Sequence, residues 1–304
     1  MRALRLALLV LLFASTASAH PAWGIAVARD GAIYFSDLEA IWKLDARGQL
    51  TKIREGVHGR HVHDITLDDQ GNLLGLDERL WKMTAANGNW KYVTAPLARG
   101  AAFRMDHAGN VYSVEQNNNV RSRTVILKGT PTGDLRPFAG GAYGHRDGNG
   151  TDAQFSNVVG MSWGRDGALY VTDGGTIRRM TLDSRVTTIV SGLGAPRSSN
   201  FLWESVLGLA VARDGAIYVA DFGNRRVMKV AGGRVSTLME AQPPWSPIGV
   251  AVSNRGDIYT LEYSFVPPGT WSGPRVRKIS PDGKAMTIAT VPPSAESGPS
   301  NPRR

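Results

Sequence analysis

The sequence predicts an all-β protein built from six copies of one four-stranded antiparallel unit. The clearest copy, residues 208–221, consists of two alternating apolar runs joined by an Asp-Gly turn. Such a turn is the strongest short-range signal of a β-hairpin, because both turn positions favour residues that tolerate positive φ. Five further copies align with it, and the six turn glycines are Gly31, Gly71, Gly109, Gly167, Gly215 and Gly256.

The spacing of these hairpins predicts the architecture. The turn glycines follow one another at intervals of 38 to 58 residues, the length of a four-stranded blade with insertions in two intervals. Two further short apolar runs follow each hairpin, as at 227–230 and 235–238 in the clearest copy. We therefore predict a six-bladed β-propeller over residues 20–291, with four antiparallel strands per blade. Closing such a ring removes the open sheet edges that favour aggregation.

Two segments resemble a known family. Residues 217–230, Ile-Tyr-Val-Ala-Asp-Phe-Gly-Asn-Arg-Arg-Val-Met-Lys-Val, resemble the NHL repeat, and residues 138–155 resemble the connector of bacterial NHL propellers. Blades two and three lack the Gly-Asn-Arg turn. The resemblance implies a bacterial secreted NHL-repeat propeller, more distantly similar to the gluconolactonase-like propellers. Its motifs are structural and imply no particular chemistry.

The two ends of the chain differ from the repeats. Residues 1–19 have the pattern of a cleavable signal peptide: Arg2 and Arg5, an apolar stretch, and a small-residue cleavage site ending at Ala19. The apolar stretch is too short to span a bilayer, and no later segment approaches that length. We therefore expect a periplasmic or secreted protein without a membrane span. Residues 292–304, rich in proline and serine, predict a disordered tail.

Composition excludes several classes of function. The chain has no cysteine, which excludes disulfides and thiolate metal sites. Its formal charge is +9, of which about +6 belongs to the predicted propeller. Basic residues recur at one position of the third strand in five blades instead of forming one cluster (Lys43, Lys82, Arg179, Lys229 and Lys278). This distribution predicts local pairing with carboxylates and argues against nucleic-acid binding.

The order of strands in each blade divides the loops between two faces. One end of every blade receives the end of the second strand and the connectors between blades, and we name it the loop-rich face. The opposite end, the tight-turn face, receives the Asp-Gly-type turns. The insertions 139–157, 191–205 and 263–274 are expected at the loop-rich face, where a binding site would form.

Every second strand ends in a carboxylate six residues after its turn glycine. The six residues are Asp37, Asp77, Glu115, Asp173, Asp221 and Glu262. A repeated acid at a strand end usually accepts hydrogen bonds from the following turn, so a structural role is expected for most of them.

Blade two carries the candidate site. A two-residue turn would place Asp64 opposite Asp77, a pairing of like charges that needs a raised pKa, a cation or a metal to compensate. A bulged turn would instead place Asp77 opposite His63. His61 and His63 lie two apart on one strand, so both imidazoles point to one side. These four residues predict a site for a divalent metal, calcium or zinc, with surface histidines as the alternative.

The sequence leaves two functions open. The first is a monomeric platform that binds a small molecule, a glycan or a protein through the loop-rich face. Trp245, Tyr263, Phe265 and Trp271 are candidates for an aromatic wall there. The second is a metal-dependent lyase or hydrolase at the channel mouth, as the resemblance to lactonase-like propellers implies. The Glu-Gly-Pro motif of lactonase-like propellers is absent, since residues 20–23 are His-Pro-Ala-Trp.

Overall fold

The computed structural model describes residues 22–37, 39–55, 61–77, 79–96, 102–116, 123–194, 206–266 and 270–292. In these ranges the chain forms six antiparallel sheets in sequence order and a single turn of 3-10 helix, Gly150–Asp152. The fold is a six-bladed β-propeller, which confirms the predicted class. The predicted signal segment 1–19 and residues 293–304 of the predicted tail lie outside the described ranges.

Each of the first three blades has four strands in the order of the chain. Blade one comprises β1 (Ile25–Val27), β2 (Ile33–Ser36), β3 (Ala40–Leu44) and β4 (Leu50–Glu55). Blade two comprises β5 (Ile65–Leu67), β6 (Leu73–Leu76), β7 (Arg79–Met83) and β8 (Trp90–Pro96). Blade three comprises β9 (Phe103–Met105), β10 (Val111–Gln116), β11 (Arg123–Gly129) and β12 (Leu135–Ala142).

Blades four to six repeat this order, with one extra strand in blade four. Blade four comprises β13 (Gly148–Asn149), β14 (Val158–Trp163), β15 (Leu169–Asp173), β16 (Thr176–Met180) and β17 (Arg185–Val190). Blade five comprises β18 (Val206–Val211), β19 (Ile217–Asp221), β20 (Arg226–Ala231) and β21 (Arg234–Glu240). Blade six comprises β22 (Trp245–Val252), β23 (Ile258–Val266), β24 (Thr270–Ile279) and β25 (Ala285–Thr290).

All six first turns share one bulged geometry. In blade five the Gly215 N–H donates to the Ala212 carbonyl at 3.0 Å, and the Ala212 N–H donates to the Ala216 carbonyl at 2.8 Å. Gly215 has φ of 83°, and the five equivalent glycines are likewise at positive φ. This is a three-residue loop with a glycine bulge, which adds one residue to a two-residue turn.

The bulge fixes the register of blade two. Ile65 pairs with Gly75 and Leu67 with Leu73. This register excludes a direct pairing of Asp64 with Asp77. In blades four to six a second register shift places the residue nine positions before the turn glycine opposite the strand-end acid, as in Val158–Asp173, Val206–Asp221 and Pro247–Glu262. The first turn of blade two is therefore bulged, and the direct pairing of Asp64 with Asp77 is wrong. The residue of blade two at the position that meets the acid in blades four to six is Val62.

Glycines allow the innermost strands to meet around the axis. A Cβ on Gly24 would lie 2.8 Å from the backbone nitrogen of Ile65, and a Cβ on Gly208 would lie 2.9 Å from the Cα of Gly249. A Cβ on Gly249 would overlap the carbonyl oxygen of Trp23. Contacts between β22 and β1 join blade six to blade one and close the ring.

The 139–157 insertion departs from the expected position. The expectation placed it at the loop-rich face, but Gly148 and Asn149 pair with Val186 and Arg185 at the start of β17. The Gly150 N–H then donates to the Ser184 carbonyl at 2.9 Å. The insertion thus runs along the outer edge of blade four to the tight-turn face, where it pairs backbone groups that an outer strand would leave exposed.

The repeated basic residues contact their own blade, as expected. The pairs with carboxylates are Lys82–Asp68, Arg179–Asp166 and Lys278–Asp257, at 2.7 to 2.8 Å. Lys43 and Lys229 lie over the rings of Tyr34 and Tyr218. In the described ranges no helix has the length and apolar character needed to cross a membrane.

Candidate functional site

The histidine pair lies where blade one meets blade two. His61 is exposed and His63 is half-buried, and their ring centroids are 6.2 Å apart in an edge-to-face arrangement. The His63 ring also stacks on Trp23, with centroids 5.4 Å apart. The His63 carbonyl accepts hydrogen bonds from the Trp23 and Gly24 N–H groups at 3.0 and 2.9 Å. The same residue therefore joins two blades through its backbone and presents an imidazole beside Trp23.

Asp77 is paired with a cation from the preceding blade. The Arg54 Nη2 lies 2.7 Å from its carboxylate, and both side chains are almost fully buried. The Arg54 guanidinium is also held between Trp81 and Trp90, 4.4 and 4.6 Å from the ring centroids. Tyr92 lies at 3.5 Å from the same carboxylate oxygen. The charge of Asp77 is thus balanced inside the junction of blades one and two.

Asp64 is paired with a cation from the following blade. The Arg104 Nη1 lies 2.6 Å from its carboxylate, and the Phe103 N–H donates to it at 3.4 Å. Burial raises the pKa of Asp64 above its ordinary value, although the charge and hydrogen bond of Arg104 act in the opposite direction. Asp64 and Asp77 therefore point into different blade junctions.

The four residues of the predicted metal site are not gathered into one cluster. In the described parts of the chain, no three or more His, Asp or Glu side chains are grouped so as to hold one. The carboxylate charges of Asp64 and Asp77 are already balanced by arginines. His61 and His63 alone supply two donors, and a structural zinc site commonly needs four. The metal site at His61, His63, Asp64 and Asp77 remains a prediction.

The neighbouring blades add apolar groups at the level of His63. The residues eight positions before the turn glycine in blades one, four, five and six are Trp23, Val159, Leu207 and Ile248. These four belong to one buried cluster, so they meet around the axis. None has a side chain that ligates a metal, and His63 is thus the polar member of an otherwise apolar set.

The acids that end the second strands have local partners. Asp221 lies 2.8 Å from Arg226, Glu262 lies 2.6 Å from Arg275, and Asp173 lies 3.1 Å from Arg178. Glu115 lies 3.8 Å from Arg123. Asp37 accepts instead from the Trp42 indole and the Ala40 N–H, both at 2.6 Å. These contacts support the structural role expected for the repeated acid.

Sequence reasoning missed Arg104. It lies five positions before its turn glycine, where the other blades have small residues: Ala26, Thr66, Ser162, Ala210 and Ala251. Arg104 is also the only charged residue in the six innermost strands β1, β5, β9, β14, β18 and β22. The signal in the sequence is an arginine at a repeat position that holds a small, uncharged residue in the other five blades.

Two other features lie apart from the histidines. Of the candidate aromatic wall, Tyr263 is buried and Trp245 carries Arg275 over its ring at 4.0 Å, so neither is an open wall; the side chains of Phe265 and Trp271 lie outside the described residues. A cavity of about 270 Å³ lies at the tight-turn face between blades one and two, and its walls include Tyr34, Lys43 and residues 84–88.

Comparison with known proteins extends the fold assignment. No protein-family model matches the chain, and no curated protein does. A solved virginiamycin B lyase from Staphylococcus aureus is 17% identical with a TM-score of 0.56, covering 90% of this chain and 84% of that one.

Two further solved structures give the same result. A gluconolactonase from Xanthomonas campestris is 12% identical with a TM-score of 0.58, and a calcium-binding regucalcin from Agrobacterium tumefaciens is 13% identical with a TM-score of 0.57. Each alignment covers 80% of this chain and 83% of the other. At these identities the similarity shows the six-bladed fold alone.

Proposed function

We propose that the protein is a periplasmic or secreted six-bladed propeller that binds a ligand through its loop-rich face. The observation that carries this proposal is that the acids ending the second strands at that face already have contacts within the protein. Five of the six closely contact an arginine or the donors of a following turn, and Glu115, whose side chain is 44% exposed, lies 3.8 Å from Arg123. A rigid ring that presents connectors at one face is suited to recognition.

The exposed histidine marks the centre of this proposed binding face. His61 is exposed beside His63, and the axis behind them is closed by apolar side chains. A small molecule or glycan that contacts this mouth would meet a polar group next to an apolar wall, the usual composition of ligand sites. A protein ligand that covers the mouth is the other form of the same proposal. We propose that the chain acts as a monomer.

The alternative is a divalent-metal-dependent lyase or hydrolase at the same mouth. The names of the solved structures that share the fold favour it, because they include a lyase, a gluconolactonase and a calcium-binding protein. The arginine partners of Asp64 and Asp77 weigh against it. The metal content of the purified protein distinguishes the ligand-binding propeller from the metal-dependent enzyme.

Substitution of two exposed histidines at opposite faces of the ring, His61 and His107, tests the proposed binding face. We expect that a panel of oligosaccharides, organic acids and peptides, screened by thermal shift, contains a ligand whose binding weakens in His61→Ala. His107→Ala is the matched control, because His107 lies in the first turn of blade three and its side chain is 91% exposed. A ligand that binds His61→Ala normally but is lost in His107→Ala would place the site at the wrong face.

A further inference from the structure

One of the six blade junctions is built differently from the others. The junctions can be compared through two sequence positions: the residue seven positions before the turn glycine of one blade and the residue five positions before the turn glycine of the next. Five of these pairs are small and uncharged: Gly24–Thr66, Ala102–Ser162, Gly160–Ala210, Gly208–Ala251 and Gly249–Ala26. The sixth pair is Asp64–Arg104.

The exceptional pair accompanies a wider junction. Among the described residues, the innermost strands pack closely at five junctions, and the exception is β5 with β9. At the junction of blades one and two, a Cβ on Gly24 would lie only 2.8 Å from the neighbouring backbone. The same position in blade two accommodates a complete aspartate side chain. Asp64 and Arg104 thus lie in a polar gap in the wall of the ring.

The guanidinium is held rigidly, but only on one side. Its Nη1 donates to Asp64 at 2.6 Å and to the Phe103 carbonyl at 2.5 Å. The contacts of the described residues give no partner to Nε or Nη2, and the side chain retains 15% of its exposure. An arginine fork with an open edge is the side chain best matched to a carboxylate, which it binds through two parallel hydrogen bonds.

Fold stability does not account for this pair. Burying two charges costs desolvation energy, and replacement of such a pair by apolar residues is often neutral or stabilising. At its five other junctions the chain has small, uncharged residues at these two positions. Its retention at a single junction, directly after His63, therefore requires another explanation.

We propose that Asp64 and Arg104 form a carboxylate-binding subsite in the wall of the ring, in which Asp64 orients the guanidinium and Nε and Nη2 receive the carboxylate of a small organic acid. This inference goes beyond the proposed function, because Arg104 lies nearer the tight-turn face than His63 and the apolar side chains that close the axis at the level of His63. The pair carries no net charge when both groups are ionised, so a monoanionic carboxylate is favoured over a phosphate dianion.

Acetate is the probe for this subsite, and acetamide is its neutral control of nearly equal shape. We expect saturable acetate-dependent shifts of the Arg104 Nε–H resonance, assigned by its absence in Arg104→Lys, and no saturable shift with acetamide. In Asp64→Asn the guanidinium loses the charged partner that orients it, so the affinity for acetate should fall at least about tenfold. Absence of saturation with acetate, or an equal response to acetamide, would overturn the proposal.

The double variant Asp64→Val/Arg104→Met guards against a purely structural effect. It replaces both charged side chains by apolar ones that fill similar volumes, so we expect it to fold with about wild-type stability and to lose acetate binding. A strongly destabilised double variant would show that the pair serves the fold and would overturn the subsite. A folded double variant that still binds acetate would overturn the subsite and leave the proposed function standing.

Discussion

The Arg54 guanidinium of blade one lies 2.7 Å from the Asp77 carboxylate of blade two, and both side chains are buried at the junction between the blades. The pair joins the last strand of one blade to the end of the second strand of the next. It also explains why Asp77 is not available as a free acid at the channel mouth.

Removing one member of this pair should strongly destabilise the ring. We expect Asp77→Ala to lower the free energy of unfolding by about 3–5 kcal/mol, because the Arg54 charge would remain buried between two indoles. Urea denaturation measures this loss. The double variant Arg54→Met/Asp77→Ala should recover much of it, since no unpaired charge remains. Glu55→Ala, which breaks the exposed Lys52–Glu55 pair, is the control and should cost at most about 1 kcal/mol.

The turn glycines should be required for their backbone conformation alone. Gly215 has φ of 83°, and a Cβ placed on it would have no neighbour within 4 Å. We expect Gly215→Ala to lower the free energy of unfolding by about 1–2 kcal/mol. Gly215→Asn should cost less, because asparagine tolerates this region of φ. Equal stability of Gly215→Ala and the wild type in urea would contradict the bulged turn.

The axial glycines should be required for space instead. A Cβ on Gly249 would overlap the Trp23 carbonyl oxygen at the junction that closes the ring. We expect Gly249→Ala to lower the free energy of unfolding by about 1–3 kcal/mol, and Gly249→Asn to cost more because it is larger. The order of alanine and asparagine is thus reversed relative to Gly215. The same order at both positions in urea denaturation would argue against one of the two explanations.

The pH dependence of stability should report on Asp64. Burial raises the pKa of this carboxyl in the folded state, so the folded protein holds its proton more tightly than the unfolded chain. The contribution of Asp64 to stability is therefore largest at acidic pH and falls as the pH rises from the ordinary aspartate pKa through the raised one. Relative to wild type, Asp64→Asn should gain stability over this window and then remain constant. A relative loss of stability at pH below the ordinary aspartate pKa, with no change above it, would instead mean that Arg104 lowers the pKa of Asp64.

The repeated parts of the fold were predictable because local chemistry determines them. The glycine at each first turn must adopt positive φ, and the alternating apolar runs on either side of it define the strands, so six hairpins and the six-bladed class follow. The same local information could not choose between two registers in blade two. The two registers differ by the one residue that a bulged turn adds. From the sequence alone, either Asp64 or His63 could be paired with Asp77.

The partners of the site residues were not predictable because they come from other blades. Arg54 precedes Asp77 by 23 residues and Arg104 follows Asp64 by 40. Neither separation corresponds to a contact within one sheet. The path of the 139–157 insertion was missed for a similar reason, since its pairing with β17 depends on an outer edge that becomes visible only in the assembled blade.

The metal content of the purified mature protein tests the central claim most directly. If the loop-rich face is a binding surface, elemental analysis should find far less than one equivalent of calcium or zinc, and a chelator should leave the melting temperature unchanged. His61→Ala/His63→Phe is the matched variant, because phenylalanine retains a ring to stack on Trp23 while removing the imidazole nitrogens. One equivalent of metal that is lost in this variant and in chelator would contradict the account and favour the metal-dependent enzyme.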